Sequence, residues 1–169
     1  MKVDQKVFAI TGGARGLGAG MASHLVDLGA HVAIIDLDAA AVEDMKQVLI
    51  SQAEQANKNI TIKGYVCDIS IESEVESSFA QIRQDFGQLN GLINNAGLMR
   101  DGMLIKVKDG KVIKKMSADQ YSLVVDVHMK GAFLCTREAA THMVEQNIQE
   151  GCIISMSSGA YHGNFGQTN

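Results

Sequence analysis

The chain has 169 residues, 46% of them apolar and 20% charged, with a formal net charge of −4. That is enough chain for one well-buried domain and too little for two, in a composition typical of globular proteins. The acidic balance argues against a nucleic-acid binder, no apolar run approaches the ~20 residues of a membrane span, and the start MKVDQKVFAITGG has too short an apolar run for a signal peptide.

In chain order, KVFAIT (6–11) is an apolar run closed by glycines and predicts a buried strand. Leu17, Met21, Leu25 and Leu28 recur at helical spacing up to Gly29. HVAIID (31–36) predicts a second strand, and 39–55 a second helix with Val42, Met45 and Leu49 on one face. ITIKGYVCD (60–68) predicts a third strand, 72–86 an amphipathic helix stopped by Gly87, and LNGLINN (89–95) a fourth strand. Residues 118–144 predict one long helix and GCIISMSS (151–158) a fifth strand. Such alternation implies right-handed crossovers and a parallel sheet covered on both faces, a doubly wound three-layer α/β/α domain over residues 1–169. IKVKDGKVIKK (105–115) interrupts the rhythm. Its Asp109-Gly110 suits a type I′ turn, so a surface hairpin is expected there, its lysines forming a solvated face.

Cys67, Cys135 and Cys152 are odd in number, far apart and without C-x-x-C spacing, so neither a metal site nor a disulfide framework is expected, and a reducing, cytoplasmic setting is. Proline is absent, against about 5% in average usage. That suits a chain of regular elements, or marks a Pro-bearing part that is missing.

Thr11-Gly12-Gly13-Ala14-Arg15-Gly16-Leu17-Gly18 lies between the first strand and the first helix. Glycines there allow a tight turn, let backbone approach a pyrophosphate, and aim helix N–H groups at its charge, as in Rossmann-type dinucleotide sites. A glycine cluster alone serves any tight turn; the strand-before, helix-after position is what favours a cofactor loop. Asp36 ends the second strand, 18 residues after Gly18. A carboxylate there accepts hydrogen bonds from ribose hydroxyls and repels a 2′-phosphate, which favours NAD over NADP. Arg15 pulls toward NADP, but an arginine can swing to solvent, so the acid decides.

The TG-x3-G-x-G spacing at 11–18, NNAG at 94–97, Asp68 in CDIS and the serine-ended strand IISMSS together resemble the short-chain dehydrogenase/reductase family, from residue 6 to 169. The resemblance implies a cofactor across the carboxyl ends of the strands. Gly12, Arg15, Gly16, Leu17 and Gly18 would line the pyrophosphate, Asp36 and Leu37 the adenosine ribose, Asp68 and Ile69 the adenine, and Asn95, Ala96 and Gly97 the inner ribose. Outside this context, Asp68 reads as a loop acid and Asn94-Asn95 as turn formers.

Catalysis in the family uses an asparagine, a serine, a tyrosine and a lysine four residues after the tyrosine, the lysine lowering the tyrosine pKa. Counting from Gly151 along the strand selects Ser158 as the serine; counting back from the expected tyrosine selects Ser157. Strand register favours Ser158, since loops absorb deletions more readily than buried strands. His128 stands where the asparagine belongs, in VDVHMKGAF. The family uses a main-chain carbonyl at this position to hold a relay water, so His128 is expected to be permissive and not a new base. Tyr161 and His162 fall in the substrate-side loop.

AGLMRDGMLIK, VDVHMKGAFLCTREAA and GNFGQTN are similar to 3-oxoacyl-[acyl-carrier-protein] reductases and 3-hydroxyacyl-CoA dehydrogenase domains of fatty acid metabolism. This implies hydride transfer between NAD(H) and a 3-oxoacyl or 3-hydroxyacyl thioester on CoA or a carrier protein. Sugar, polyol and steroid dehydrogenases share the core motifs. Pairing through the long helix into a homodimer or homotetramer is implied too. No Tyr-x-x-x-Lys occurs in the 169 residues, and family spacing puts the tyrosine at the next position, after Asn169. The expectation is an N-terminal portion of a longer subunit; the rival reading is a catalytically incomplete NAD-binding fragment or module.

Overall fold

A computed structural model of the chain describes residues 2–163, 166 and 168. Most of the GNFGQTN loop expected before the tyrosine therefore lies outside the described residues. Five parallel strands form one sheet in the order β3-β2-β1-β4-β7: β1 (Val7–Thr11), β2 (His31–Asp36), β3 (Ile62–Val66), β4 (Gly91–Asn94) and β7 (Cys152–Ser155). β1 is central, pairing Val7 with His31 on one side and Phe8 with Gly91 on the other, so both its edges are paired, and with helices packed on both faces VFAIT is buried throughout.

Strand residues alternate between two cores. Phe8, Ile10, Val32 and Ile34 point to α1 (Gly16–Asp27) and α2 (Ala39–Gln55), meeting Val26, Val42 and Leu49. Val7, Ala9, Ala33 and Ile35 point to α3 (Glu72–Phe86) and α5 (Ala132–Glu145), meeting Val75, Phe79, Ile82 and Leu134. The doubly wound three-layer architecture is thus present. β7 is an edge strand whose Ile153 and Ile154 stay 37% and 46% exposed, outside both cores. β2 matches its predicted run, while β1, β3, β4 and β7 are shorter than theirs because the ladder stops where the neighbour turns away, as at Asp36 opposite Val66.

The 105–115 hairpin forms β5 (Ile105–Lys108) and β6 (Lys111–Lys115), with Asp109 and Gly110 both at positive φ, 50° and 71°, as a type I′ turn requires. All its strand residues are exposed, and none of its lysines joins an ion pair among the described residues. The expected single helix over 118–144 is a correction. It runs as α4 (Ala118–Val125), a π-helical stretch Asp126–Gly131, then α5. The wide stretch ends at buried Gly131, where an added Cβ would come 2.7 Å from the Ile69 side chain, so the helix presses directly on the loop after β3.

Candidate functional site

The carboxyl ends of the strands open into a groove. Its first part, about 390 Å³, is lined by the glycine loop (Gly12, Arg15, Gly16), the end of β2 (Asp36, Leu37), the loop after β3 (Asp68, Ile69) and the loop after β4 (Asn95, Ala96, Gly97). A second cavity of about 280 Å³ shares Ile69, Asn95, Ala96 and Gly97 with it and adds Leu17, His128, Ser157 and Ser158. A third, about 690 Å³, shares His128 and Ser158 with the second and is walled by Met99, Val124, Val125 and Met129. The three adjoin one another, as expected where strand order reverses beside β1.

The groove brings most of the residues expected from the sequence together, and three departures stand out. Leu17 is 75% exposed and borders the second cavity, not the first. Gly18 lines none of the three: it is buried against the loop, and a Cβ on it would collide with the Gly12 carbonyl oxygen. Its role is to let α1 pack close behind the cradle. Tyr161 and His162 stack on each other, ring centroids 3.7 Å apart, and border none of these cavities, although Gly159, Ala160 and Gly163 line the third.

α1 begins without a side-chain cap and with no acid in its first turn. Its first N–H groups find no acceptor among the described residues, so this end offers donors and positive potential to an anion. The loop is fastened from beneath by Thr11, buried to 1%. Its Oγ1 accepts from the Asn95 and Ala96 N–H groups at 3.0 Å each, while Asn95 Nδ2 donates to the Thr11 and Gly12 carbonyls at 3.1 Å. Thr11 belongs to the motif, yet its joinery across 84 residues is not readable from spacing.

Asp36 Oδ2 accepts from the Ala14 N–H at 3.2 Å and Oδ1 from the Asp38 N–H at 3.4 Å, which holds the carboxylate between the two loops. Arg15 does not swing free. Its Nη2 lies 2.5 Å from Asp38 Oδ2. Asp38 also caps α2, Oδ1 accepting from the Ala41 N–H at 3.1 Å. The Ala41 N–H and then Arg15 hold the Asp38 carboxyl below its ordinary value. Sequence reasoning missed Asp38; the signal was an acid directly before a helix start. Asp68 Oδ1 accepts from the Ser70 N–H and hydroxyl at 2.9 and 2.7 Å, a loop acid that also lines the groove.

His128 sits in the π-helical stretch, its Nε2 3.2 Å from the Leu98 nitrogen and 3.0 Å from the Leu98 oxygen. Its ring also fills the space over Gly97, whose added Cβ would lie 2.6 Å from Cε1. Ser157 faces the second cavity alone, whereas Ser158 borders the second and third and accepts from the Ala160 N–H at 3.1 Å. No cluster of potential metal ligands and no helix long and apolar enough to cross a membrane occurs among the described residues.

Residues 6–168 match the family model described as short chain dehydrogenase. A subunit of (2S)-[(R)-hydroxy(phenyl)methyl]succinyl-CoA dehydrogenase from Thauera aromatica is 33% identical, covering 99% of this chain and 61% of its own length. A 3-oxoacyl-[acyl-carrier-protein] reductase from Thermotoga maritima is 29% identical over 100% of this chain and 62% of its own. Among solved structures, an NAD+-bound xylitol dehydrogenase superposes with a TM-score of 0.80 at 25% identity, covering 99% of this chain and 58% of that one. The chain thus spans about three fifths of these relatives' length. Glycine loop, β2 acid, NNAG loop and serine-ended strand, met in one groove and matched over nearly the whole chain, make it a member of the short-chain dehydrogenase family.

Proposed function

We propose that residues 1–169 are the dinucleotide-binding portion of an NAD(H)-dependent oxidoreductase acting on a keto or hydroxy group, with a 3-oxoacyl or 3-hydroxyacyl thioester as its substrate. The observation that carries this reading is the continuity of the three cavities, with Ser158 where the second meets the third. The fit of a dinucleotide is supported by the cradle itself: a side chain on Gly12 would fill it, its Cβ 2.9 Å from Ala96 Cα, and the free α1 N–H groups answer a pyrophosphate. When bound, the nicotinamide supplies hydride transfer.

The chain's own residues divide the remaining work. The glycine loop and the start of α1 hold the pyrophosphate, with Arg15 beside them on Asp38, Asp36 accepts from the adenosine ribose hydroxyls, and Asn95 to Gly97 flank the inner ribose. The Ser158 hydroxyl orients the substrate oxygen, and His128 fixes the Leu98 backbone on the groove wall. The proton-transfer pair implied by the resemblance, Tyr-x-x-x-Lys, does not occur in these residues.

An acyl thioester is favoured by the apolar wall of the third cavity and by the names of two relatives; the xylitol dehydrogenase likeness speaks for a polyol. NAD rests on Asp36, against the NADP that Arg15 alone would suggest. Exposed Tyr121, Leu123, Phe133 and Val144 along α4 and α5 support subunit pairing through that helix, and three free thiols suit a cytoplasmic setting. Titration of the chain with NADH, followed by nicotinamide fluorescence, tests the reading. Saturable binding that a 3-hydroxyacyl thioester perturbs and xylitol does not is the expected result. Absence of NADH binding would overturn it.

A further inference from the structure

We infer that Asp38 is a positioning residue for cofactor selectivity: it holds the Arg15 guanidinium away from the ribose 2′ position and so denies NADPH the one cation of the glycine loop. The inference rests on the dinucleotide reading above and deepens it. Asp36 alone is the acid that sequence reasoning credits with rejecting a 2′-phosphate, and Arg15 is the residue that would welcome one.

The geometry joins the three. Arg15 and Asp36 both line the first cavity, and Asp36 and Asp38 flank exposed Leu37 at its rim. The Asp38 N–H donates to Asp36 Oδ1 at 3.4 Å, so the two carboxylates share one turn of backbone. Arg15 Nη2 is engaged by Asp38 Oδ2 at 2.5 Å. Asp38 is itself fixed, because its other oxygen caps α2 through the Ala41 N–H at 3.1 Å. One carboxylate thus caps a helix with one oxygen and restrains a cation with the other. The cluster of Arg15, Asp36 and Asp38 carries a net charge of −1, with its positive member already paired. A 2′-phosphate brought to Asp36 meets a carboxylate and no available guanidinium. Neutral ribose hydroxyls meet no such penalty, since Asp36 accepts from them.

The pair is exposed, 70% for the Arg15 side chain and 41% for Asp38, so it is weak enough to be broken by one substitution. Asp38→Asn keeps the cap, the size and the N–H to Asp36 while removing the charge. Freed, Arg15 gains a charge-assisted hydrogen bond to a phosphate. The affinity for NADPH relative to NADH is expected to rise about tenfold, from the loss of an exposed ion pair and the gain of that bond.

The test is fluorescence titration of NADH and NADPH against the wild-type chain, Asp38→Asn, Asp38→Ser, Arg15→Ala and the Arg15→Ala/Asp38→Asn double variant, with thermal melts to verify folding. Both Asp38 variants should shift the ratio toward NADPH, because serine also caps but cannot reach Arg15. In the Arg15→Ala background the Asp38→Asn shift should vanish, a result that a purely structural role of Asp38 would not give. An unchanged ratio in well-folded Asp38→Asn and Asp38→Ser, or a shift that persists without Arg15, overturns the inference while leaving the dinucleotide reading standing. If the wild-type chain binds neither nucleotide, the dinucleotide reading falls and this inference falls with it.

Discussion

Thr11 and Asn95 grip each other from both sides: the Thr11 hydroxyl oxygen accepts the Asn95 N–H at 3.0 Å, and the Asn95 amide donates to the Thr11 carbonyl at 3.1 Å. The same hydroxyl takes the Ala96 N–H, so one oxygen satisfies two backbone donors between the glycine loop and the loop after β4. Thr11→Val keeps the shape and removes that acceptor. Leaving such donors unpaired costs about 1–3 kcal/mol each. A loss of roughly 2–4 kcal/mol in urea unfolding is therefore expected for Thr11→Val, against less than about 1 kcal/mol for Thr11→Ser, which keeps the oxygen. Equal losses in the two variants would contradict this account.

His128 makes a second tie, to the Leu98 peptide. An exposed hydrogen bond of this kind contributes about 1 kcal/mol, or roughly fivefold in a local opening equilibrium. His128→Ala should speed hydrogen exchange at the Leu98 amide by about that factor, whereas His128→Asn, still able to bond the peptide, should change it less. Exchange unaltered in His128→Ala would show that the ring does not hold the loop.

The sheet and its order of elements were legible because each strand is an apolar run and each helix a 3.6-residue stripe, from VFAIT to the Leu17–Leu28 spacing. Most of the groove was legible for the same reason: glycines and acids at strand ends reach it whatever their side-chain conformations. What escaped depends on distances the pattern does not encode. Arg15 meets Asp38 across 23 residues, and Gly18 serves packing where its place in the motif suggests ligand contact. The π-helical stretch left the hydrophobic period of 118–144 almost unchanged, since one widened turn shifts the stripe without erasing it.

His142 on α5 is 5% exposed, its Nδ1 has no hydrogen-bond partner among the described residues, and its ring stands edge-on to Phe79. Burial, then the nearby Arg83, pushes its pKa below the ordinary 6.5, with Glu138 and Glu145 opposing. The folded chain therefore takes up this proton less readily than the unfolded chain. Above pH ~6.5 neither state carries it and stability is unaffected; as pH falls below that, the unfolded state gains a proton the folded state refuses, and stability drops until the folded pKa is reached. The slope from this residue is at most about 1.4 kcal/mol per pH unit. His31 shifts in the same direction, by burial, with its Nδ1 accepting the Thr61 N–H at 2.8 Å. His142→Leu should flatten the fall in urea midpoint between about pH 7 and 5 without abolishing it, His31 remaining. A midpoint profile identical to wild type would remove His142 from the account.

Gly18 and Gly20 lie two residues apart in α1 and should respond oppositely to alanine. Helix propensity alone favours alanine over glycine by about 1 kcal/mol at both. At exposed Gly20 an added Cβ meets nothing within 4 Å among the described residues, so Gly20→Ala should stabilise the chain by roughly 0.5–1 kcal/mol. At Gly18 the Cβ collides with the Gly12 carbonyl and comes 2.7 Å from Asn95 Nδ2, both parts of the cradle. Neither can yield freely, because Asn95 Nδ2 is already bonded to the Gly12 oxygen at 3.1 Å. Overpacking of this kind costs about 1–3 kcal/mol. Gly18→Ala is thus expected to lower the urea midpoint and weaken NADH binding, because α1 must back away from the loop it supports. Measured side by side, Gly20→Ala isolates the propensity gain, and the difference between the two variants isolates the collision. Equal stabilisation by both would mean that α1 does not need its close approach to the cradle.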